Sequence, residues 1–409
     1  MTQDTEIAVI GAGVVGLACA LALAQEGHAV ALVAPEDDET AASYGNAGII
    51  ADYAVLPVGT PDVLRNLPAL LLDRNSPLAI RPGLGLVPWL LRFARESLPR
   101  RAEANARAIA ALLAPATASW QAMAAEIGAR DLLKPLGTLY LYETEADRKA
   151  AHLDAYRAHG VRVEEITRAK LGQLQPGLPA DVGVGGAFFP DALTVHDPRQ
   201  MLRHLQNAVA KAGVQRIAAR VTGLQTGPAG VRLTGDNLML RARRVVICAG
   251  AWSRNLAAQA GDRVPLETER GYHLEWDSDA PRLTRQMMPV SRGFYFCPMD
   301  GRLRVAGTVE LGGLDAPASP HRWDVLVRGA RAILRDLPEP DRRWMGCRPS
   351  LPDSRPVIGV SKSGSQVIYA FGHGHLGLTM APITARLVTG LMAGREPEVD
   401  LAPYRPDRF

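Results

Sequence analysis

Residues 6–33 place the strongest constraint on the fold. Glu6-Ile-Ala-Val-Ile10 is a short apolar run of the kind that makes a buried strand, and Gly11-Ala12-Gly13-Val14-Val15-Gly16 follows it without a break. Leu17, Leu21 and Ala24 continue at helical spacing to Gly27, a C-terminal cap, and His28-Ala-Val-Ala-Leu-Val33 supplies a second strand. In the resulting βαβ unit, Gly11 permits a tight turn, Gly13 lets a pyrophosphate approach the backbone, and Gly16 lets helix and strand pack closely. Free N–H groups at the helix N-terminus face the anion. In this setting G-x-G-x-x-G reads as a dinucleotide site; the alternative is an empty glycine turn.

One part of the fingerprint is missing. The acid expected at the end of the second strand is replaced by Ala34, followed by Pro35. Glu36 and Asp37 either reach back to the ribose or belong with Asp38 and Glu39 to a solvated acidic turn. The motif alone does not separate FAD from NAD.

The remaining composition narrows the class. The chain has 409 residues, 47% hydrophobic and 22% charged, which excludes a disordered or disulfide-scaffold chain and suggests two or three structural units. With 46 Lys+Arg against 42 Asp+Glu, nothing argues for a nucleic-acid partner. Cys19, Cys248, Cys297 and Cys347 form no C-x-x-C pair, so no metal site is expected and a reducing compartment fits. The first residues lack a signal-peptide pattern, and no apolar run approaches the roughly 20 residues that span a bilayer. The expectation is a cytoplasmic protein, with peripheral contact at the cytoplasmic membrane face as an alternative.

Further along, residues 56–128 read as helix and loop, and 129–195 and 263–349 as strand-rich. Arg216–Leu224 and Val231–Leu240 resemble a hairpin leading to the apolar strand before Gly250. Gln366–Phe371 then enters Gly372-His-Gly-His-Leu-Gly377 and another helix, a second glycine-rich strand–loop–helix device. Its helix N-terminus suits an anion developing on a bound cofactor, and two such devices in one chain suit a long cofactor.

Five segments together carry a family likeness: IAVIGAGVVGLACA from Ile7, SYGNAGII from Ser43, VVICAGAWS from Val245, GCRPSLPDSRPVIG from Gly346 and FGHGHLGLTMAP from Phe371. They resemble the D-amino-acid oxidase/dehydrogenase superfamily of FAD-dependent enzymes over nearly the whole chain, and most closely the bacterial D-amino-acid dehydrogenase branch. The resemblance implies an α/β protein with a discontinuous glutathione-reductase-like FAD-binding domain (1–55, 196–262 and 350–409). It also implies a helical segment packed on that domain (56–128) and an antiparallel β-sheet substrate domain (129–195 and 263–349).

By the same resemblance Arg348 holds a substrate carboxylate, a task suited to its planar, permanently charged fork, and the Tyr295 hydroxyl assists. Tyr272, His273 and Arg292 stand on strands expected to face the substrate, although alternate strand residues point away from it. FAD contacts are expected from Gly11, Ala12, Gly13, Val14, Val15 and Gly16, from Ser43, Asn46 and Gly48, from Val221, Gly250 and Trp252, and from Gly372, Gly374, His375, Leu376, Gly377, Leu378 and Thr379, with His373 beside them. Non-covalent FAD is favoured over a link through Cys347.

The implied reaction transfers hydride from Cα of a D-amino acid to flavin N5, giving an imine that hydrolyses to a 2-oxo acid and ammonia. Alternatives are a secondary amino acid such as D-proline, hydroxyproline or sarcosine, a nicotinamide-dependent dehydrogenase, and a non-catalytic FAD-holding subunit. Leu64–Arg101 carries seven arginines against Asp73 and Glu96, interleaved with Leu70, Leu71, Leu72, Val87, Trp89, Leu90, Leu91 and Phe93. Such a stretch suits either an anionic bilayer and a quinone acceptor or solvated helices on the FAD domain.

Overall fold

The computed structural model of the chain describes residues 3–36, 41–81, 83–279 and 282–409. The proposed acidic turn of Asp37, Asp38 and Glu39 lies outside them.

An eight-stranded sheet is built around the first βαβ unit. Gln3–Ile10 pairs in parallel with Val30–Ala34 on one side and Leu238–Ile247 on the other. Gln215–Ala218 extends the parallel ladder beyond Val30–Ala34, and Gly364–Phe371 joins it at Val245–Ile247. The expected hairpin is therefore shifted. Its first three residues, Arg216, Ile217 and Ala218, belong to the parallel ladder, and Val221–Gly227 instead turns back on Gly230–Gly235, which turns back on Leu238–Ile247. Arg220 and its neighbours separate the two strands that the sequence alone ran together, since neither carries enough buried residues to mark its end.

The helix Val14–Gln25 is apolar around most of its surface because it is covered on several sides. Leu17, Leu21 and Leu23 pack among Met201 and Leu205 of Pro198–Lys211 and Ala381, Ala385 and Val388 of Gly377–Ala393. Each such leucine contributes about 1.5–3 kcal/mol on burial. The opposite sheet face is covered by Leu224, Leu233, Leu256 and Val264.

Nine strands form a second sheet. Its central ladder is antiparallel: Arg342–Ser350, Glu267–Asp277, Arg302–Leu311 and Phe294–Met299, with Leu78–Ile80 added beside Arg302–Leu311. Gln286–Pro289 joins Phe294–Met299 to Thr138–Tyr142, and Gly185–Phe189 and Glu164–Thr167 complete the other edge. A three-stranded patch, Ile49–Ile50, Leu193–Val195 and Leu133–Lys134, ties the first unit to this region.

Residues 61–126 contribute four helices. The stretch Pro99–Glu126 reaches a mean hydropathy of 1.3, enough by length and composition to cross a bilayer, contrary to the sequence expectation. It is, however, two helices, Pro99–Leu113 and Ala116–Glu126, and Ile109, Leu112, Leu113 and Trp120 are buried within the molecule. The Trp120 indole donates to the Leu378 carbonyl at 2.7 Å, fixing this layer to the helix Gly377–Ala393.

Candidate active site

A cavity of about 590 Å³ is lined by both large sheets. On the first sheet the strand order sets Ala219–Val221, Val33–Pro35, Ile10–Gly13 and Cys248–Gly250 side by side at the carboxyl ends of parallel strands, where open α/β sheets bind ligands. Gly11 has φ +106°, and a Cβ there would stand 2.4 Å from the Cys248 carbonyl oxygen. Gly16 does not line the cavity; a Cβ there would lie 1.8 Å from the Gly11 carbonyl oxygen, so its role is helix–strand packing. Ser43 Oγ accepts from Val14 N at 3.0 Å, satisfying the first free donor of the helix.

Along the wall, Ala12, Gly13, Val14, Val15, Ser43, Asn46, Val221, Gly250 and Trp252 all line the cavity. Asn46 also folds its own loop by accepting from Gly48 N at 2.8 Å. Gly48 and Gly372 do not line it. They hold left-handed turns, φ +72° and +83°, against Val195 and Leu351. Among the described lining residues, Val33, Pro35, Ala219 and Arg220 adjoin Ala34 and none of them is a carboxylate, so the ribose contact anticipated from an acid has no counterpart among them.

The second glycine device meets the same cavity. Gly374, His375, Leu376, Gly377, Leu378 and Thr379 line it, and Gly374 N donates to Pro349 O at 2.9 Å, holding the loop against the strand that carries Arg348. Thr379 Oγ1 accepts from Ala51 N at 3.0 Å. Burial holds His373 down at about 3 and, helped by the Arg348 charge, His375 at about 4, so both imidazoles are neutral near pH 7.

Strand alternation decides which residues of the second sheet reach the cavity. Glu269, Gly271 and His273 share one face with Arg348, Gly346 and Trp344, their direct partners across the ladder. Tyr295 joins them through Ala306, the neighbour of both Tyr295 and His273. Tyr272 and Arg270 point the other way: the Tyr272 hydroxyl donates to Glu310, and its ring packs edge-on against Trp323 at 5.3 Å. His273 has the right face but is covered, its ring stacked on Trp344 at 4.8 Å and its Nδ1 3.2 Å from Gly45 O. Arg292 is held by Glu143 at 2.6 and 2.7 Å. None of Tyr272, His273 and Arg292 lines the cavity.

Arg348 does line it. Its guanidinium lies over Gly271, where a Cβ would come within 2.5 Å of Cζ, and among the described residues it has no hydrogen-bond or ion-pair partner. Burial weakens its hold on the proton while Glu269 strengthens it. A half-buried guanidinium without a partner is expensive, and a planar anion in the cavity would satisfy it.

Tyr295 Oη is 3.0 Å from Tyr53 Oη, and Tyr140 Oη is 3.3 Å from Tyr156 Oη; all four tyrosines line the cavity. Burial pushes the Tyr53, Tyr140 and Tyr295 phenols well up, so they act as neutral hydrogen-bonding groups. The sequence pointed to Tyr295 alone of these. Tyr140 had a signal in the alternation of Thr138–Tyr142, whereas Tyr53 sits in irregular backbone that carries none. Glu269 was also missed, although it stands two residues before Gly271 on the strand already singled out. Cys347 lines the cavity as a buried thiol whose pKa is raised by burial.

A glycine cradle at one helix N-terminus, a second helix N-terminus and a unpartnered cation under an antiparallel sheet fit a flavin dinucleotide, and they define an FAD-dependent oxidoreductase. The sequence profile described as DAO, FAD dependent oxidoreductase, matches residues 6–391. The chain is 32% identical to a D-amino-acid oxidase of Bradyrhizobium diazoefficiens over 421 residues, covering 100% of both chains. It is 30% identical to a D-amino acid dehydrogenase of Phenylobacterium zucineum, covering 98% of this chain and 96% of that one. The structure is similar to that of a glycine oxidase from Geobacillus kaustophilus, with TM-score 0.79, 24% identity and 100% coverage of both chains. The protein belongs to the DAO family of FAD-dependent oxidoreductases.

Proposed function

We propose that this protein oxidises D-amino acids to imines, which hydrolyse to 2-oxo acids and ammonia. The observation that carries the reading is Arg348, unpartnered among the described residues and half-buried in the cavity wall beside the glycine loop. Its fork takes the substrate carboxylate bidentately, with the Tyr295–Tyr53 hydroxyl pair alongside. FAD, when bound, accepts the hydride from Cα. The chain's own residues hold the carboxylate, exclude water with the tyrosine group and Trp344, and present the N-terminus of Gly377–Ala393 toward negative charge. The names of the two curated relatives support the D-configuration.

The neutral aromatic and apolar lining around Tyr53, Tyr140, Tyr156 and Met288 also suits a secondary amine such as D-proline, hydroxyproline or sarcosine. An anaerobic titration of the purified flavoprotein with D- and L-amino acids, D-proline and sarcosine distinguishes these. Bleaching of the visible flavin band by one series identifies the substrate class, and no bleaching by any of them refutes the reading.

The electron acceptor is proposed to be a membrane quinone, with the protein cytoplasmic and peripherally bound. Exposed Val87, Leu91 and Leu98 beside exposed Arg92, Arg95 and Arg100 support this. Arg65, Arg81 and Arg101 do not add to that surface charge, being paired with Asp62, Glu310 and Glu96. Co-sedimentation with anionic vesicles is expected; a protein that stays in the supernatant and reduces oxygen instead rules this out.

A further inference from the structure

Glu269 is the one carboxylate among the described residues lining the main cavity. Its Cα stands directly opposite that of Arg348 in the antiparallel ladder, so both side chains leave the same face, yet they do not form an ion pair within 4.0 Å. A buried carboxylate and a half-buried guanidinium are thus held near each other, without an ion pair between them, in the wall of the cavity. That is the charge pattern of an amino acid in mirror image: a carboxylate and an ammonium separated by one carbon. Two charges so placed without each other as partners would be costly unless a ligand bridged them.

We infer that Glu269 is the group that receives the substrate's ammonium and removes its proton before Cα is oxidised, an assignment that rests on the amino-acid reading above. An ammonium nitrogen has no lone pair to form the C=N bond, so the amine must first become neutral. One N–H proton passes to a Glu269 carboxylate oxygen. The Cα–H bond then breaks with both electrons leaving as hydride to the flavin, the nitrogen lone pair forms C=N, and the iminium leaves with the charge that the ammonium brought.

A second, small cavity of about 10 Å³ gives the proton a way out. It is lined by Glu269, Ser350, Ser354 and Val58, and it adjoins the main cavity through Glu269 and the residues 373–376. That volume approaches what a single water occupies, and Val58, which lines both cavities, is exposed, its N–H bonded to Ser354 Oγ at 3.0 Å.

The groups facing Glu269 are compatible with this role. Arg348 and Ser350 come from the neighbouring strand, Leu311 from the other, and neutral His373 and His375 from the glycine loop. Phe93 closes the small cavity. Burial raises the Glu269 carboxyl, the direction a proton acceptor needs, while the Arg348 charge and a hydrogen bond from Ser350 return part of that shift.

The test uses the FAD-loaded protein and the Glu269→Gln and Glu269→Asp variants, with anaerobic flavin reduction by the best D-amino acid followed across pH. For Glu269→Gln, reduction is expected to slow about a hundredfold near pH 6.5, and the deficit to close above the amino group's own pKa, where the free amine already exists. Glu269→Asp recovers part of the low-pH rate. Propionate, a carboxylate without an amine, perturbs the flavin band of Glu269→Gln at equal or lower concentration than in the unaltered protein, because Arg348 is intact. A Gln variant as fast as the unaltered protein at low pH, or one slowed equally at every pH, overturns the assignment while leaving the amino-acid reading in place. An unaltered protein that no amino acid reduces overturns both.

Discussion

Gly271→Ala separates positioning of the Arg348 guanidinium from folding. The new Cβ would stand 2.5 Å from Arg348 Cζ and Nη2 and 2.7 Å from Nε, whereas ordinary van der Waals contact begins near 3.4 Å. The guanidinium must therefore retreat by about 1 Å. A misplacement of that size costs on the order of 10²-fold in a bound reacting geometry, or about 2.7 kcal/mol. The backbone need not move: Gly271 has no positive φ, and the clash is with the far end of a flexible side chain. Alanine within a strand is, if anything, about 0.5–1 kcal/mol better than glycine, so Tm should change by no more than about 4 °C. FAD content should be unaltered because Gly271 does not line the cavity. The assay is stopped-flow flavin reduction over a range of amino-acid concentration, with Tm and the flavin-to-protein absorbance ratio measured on the same samples. A roughly hundredfold loss in kcat/KM, with both controls unmoved, is expected. Kinetics within threefold of the unaltered protein would refute the premise that the Arg348 position seen over Gly271 is the working one.

Two further substitutions probe other layers. In Gly16→Ala the added Cβ meets the Gly11 carbonyl oxygen at 1.8 Å, a backbone clash with no side chain to yield; a loss of about 3 kcal/mol, a Tm fall of roughly 10 °C and colourless protein are expected. Glu275 accepts from Arg304 at 2.9 Å, Arg342 at 2.8 Å, and Arg199 and Arg302 at 3.2 Å. Burial opposes its ionisation, but the guanidiniums, Arg304 foremost, hold the carboxyl well below its ordinary 4.5. A depressed folded pKa means that this stabilisation is complete above about pH 4.5 and drains away as pH falls toward the folded value. Calorimetry should show Glu275→Gln losing about 3–5 kcal/mol at pH 7 and a flatter decline in Tm below pH 4.5 than the unaltered protein; parallel curves would sink the argument.

What could be read in the sequence was local. The βαβ unit and the glycine-rich C-terminal loop are short-range devices, and their residues lie where spacing put them, with Gly16, Gly48 and Gly372 serving packing and turns instead of the cavity. The second sheet was harder, because a period of two assigns faces only after one residue has been anchored. With Arg348 as the anchor, cross-strand register selects Glu269 and rejects Tyr272, but register is a property of two strands about 80 residues apart and no single strand encodes it. His273 shows a further limit: its face is right, and only the stacked Trp344 removes it from the cavity. The tyrosine group draws on residues 53, 140, 156 and 295, brought together by packing across three elements and a loop.

The pairing of the first helix with the last has a consequence for biosynthesis. Val14–Gln25 buries its apolar surface against Gly377–Ala393, and the central strand Leu238–Ile247 lies between strands from opposite ends of the sequence. A ribosome therefore releases the glycine turn at residues 11–16 some 350 residues before the helix that covers its neighbour. Throughout that interval the nascent chain exposes Leu17, Leu21 and Leu23, the kind of sticky surface that chaperones bind. The cavity wall runs from Ile10 to Thr379, so it is complete only once the polypeptide is nearly finished.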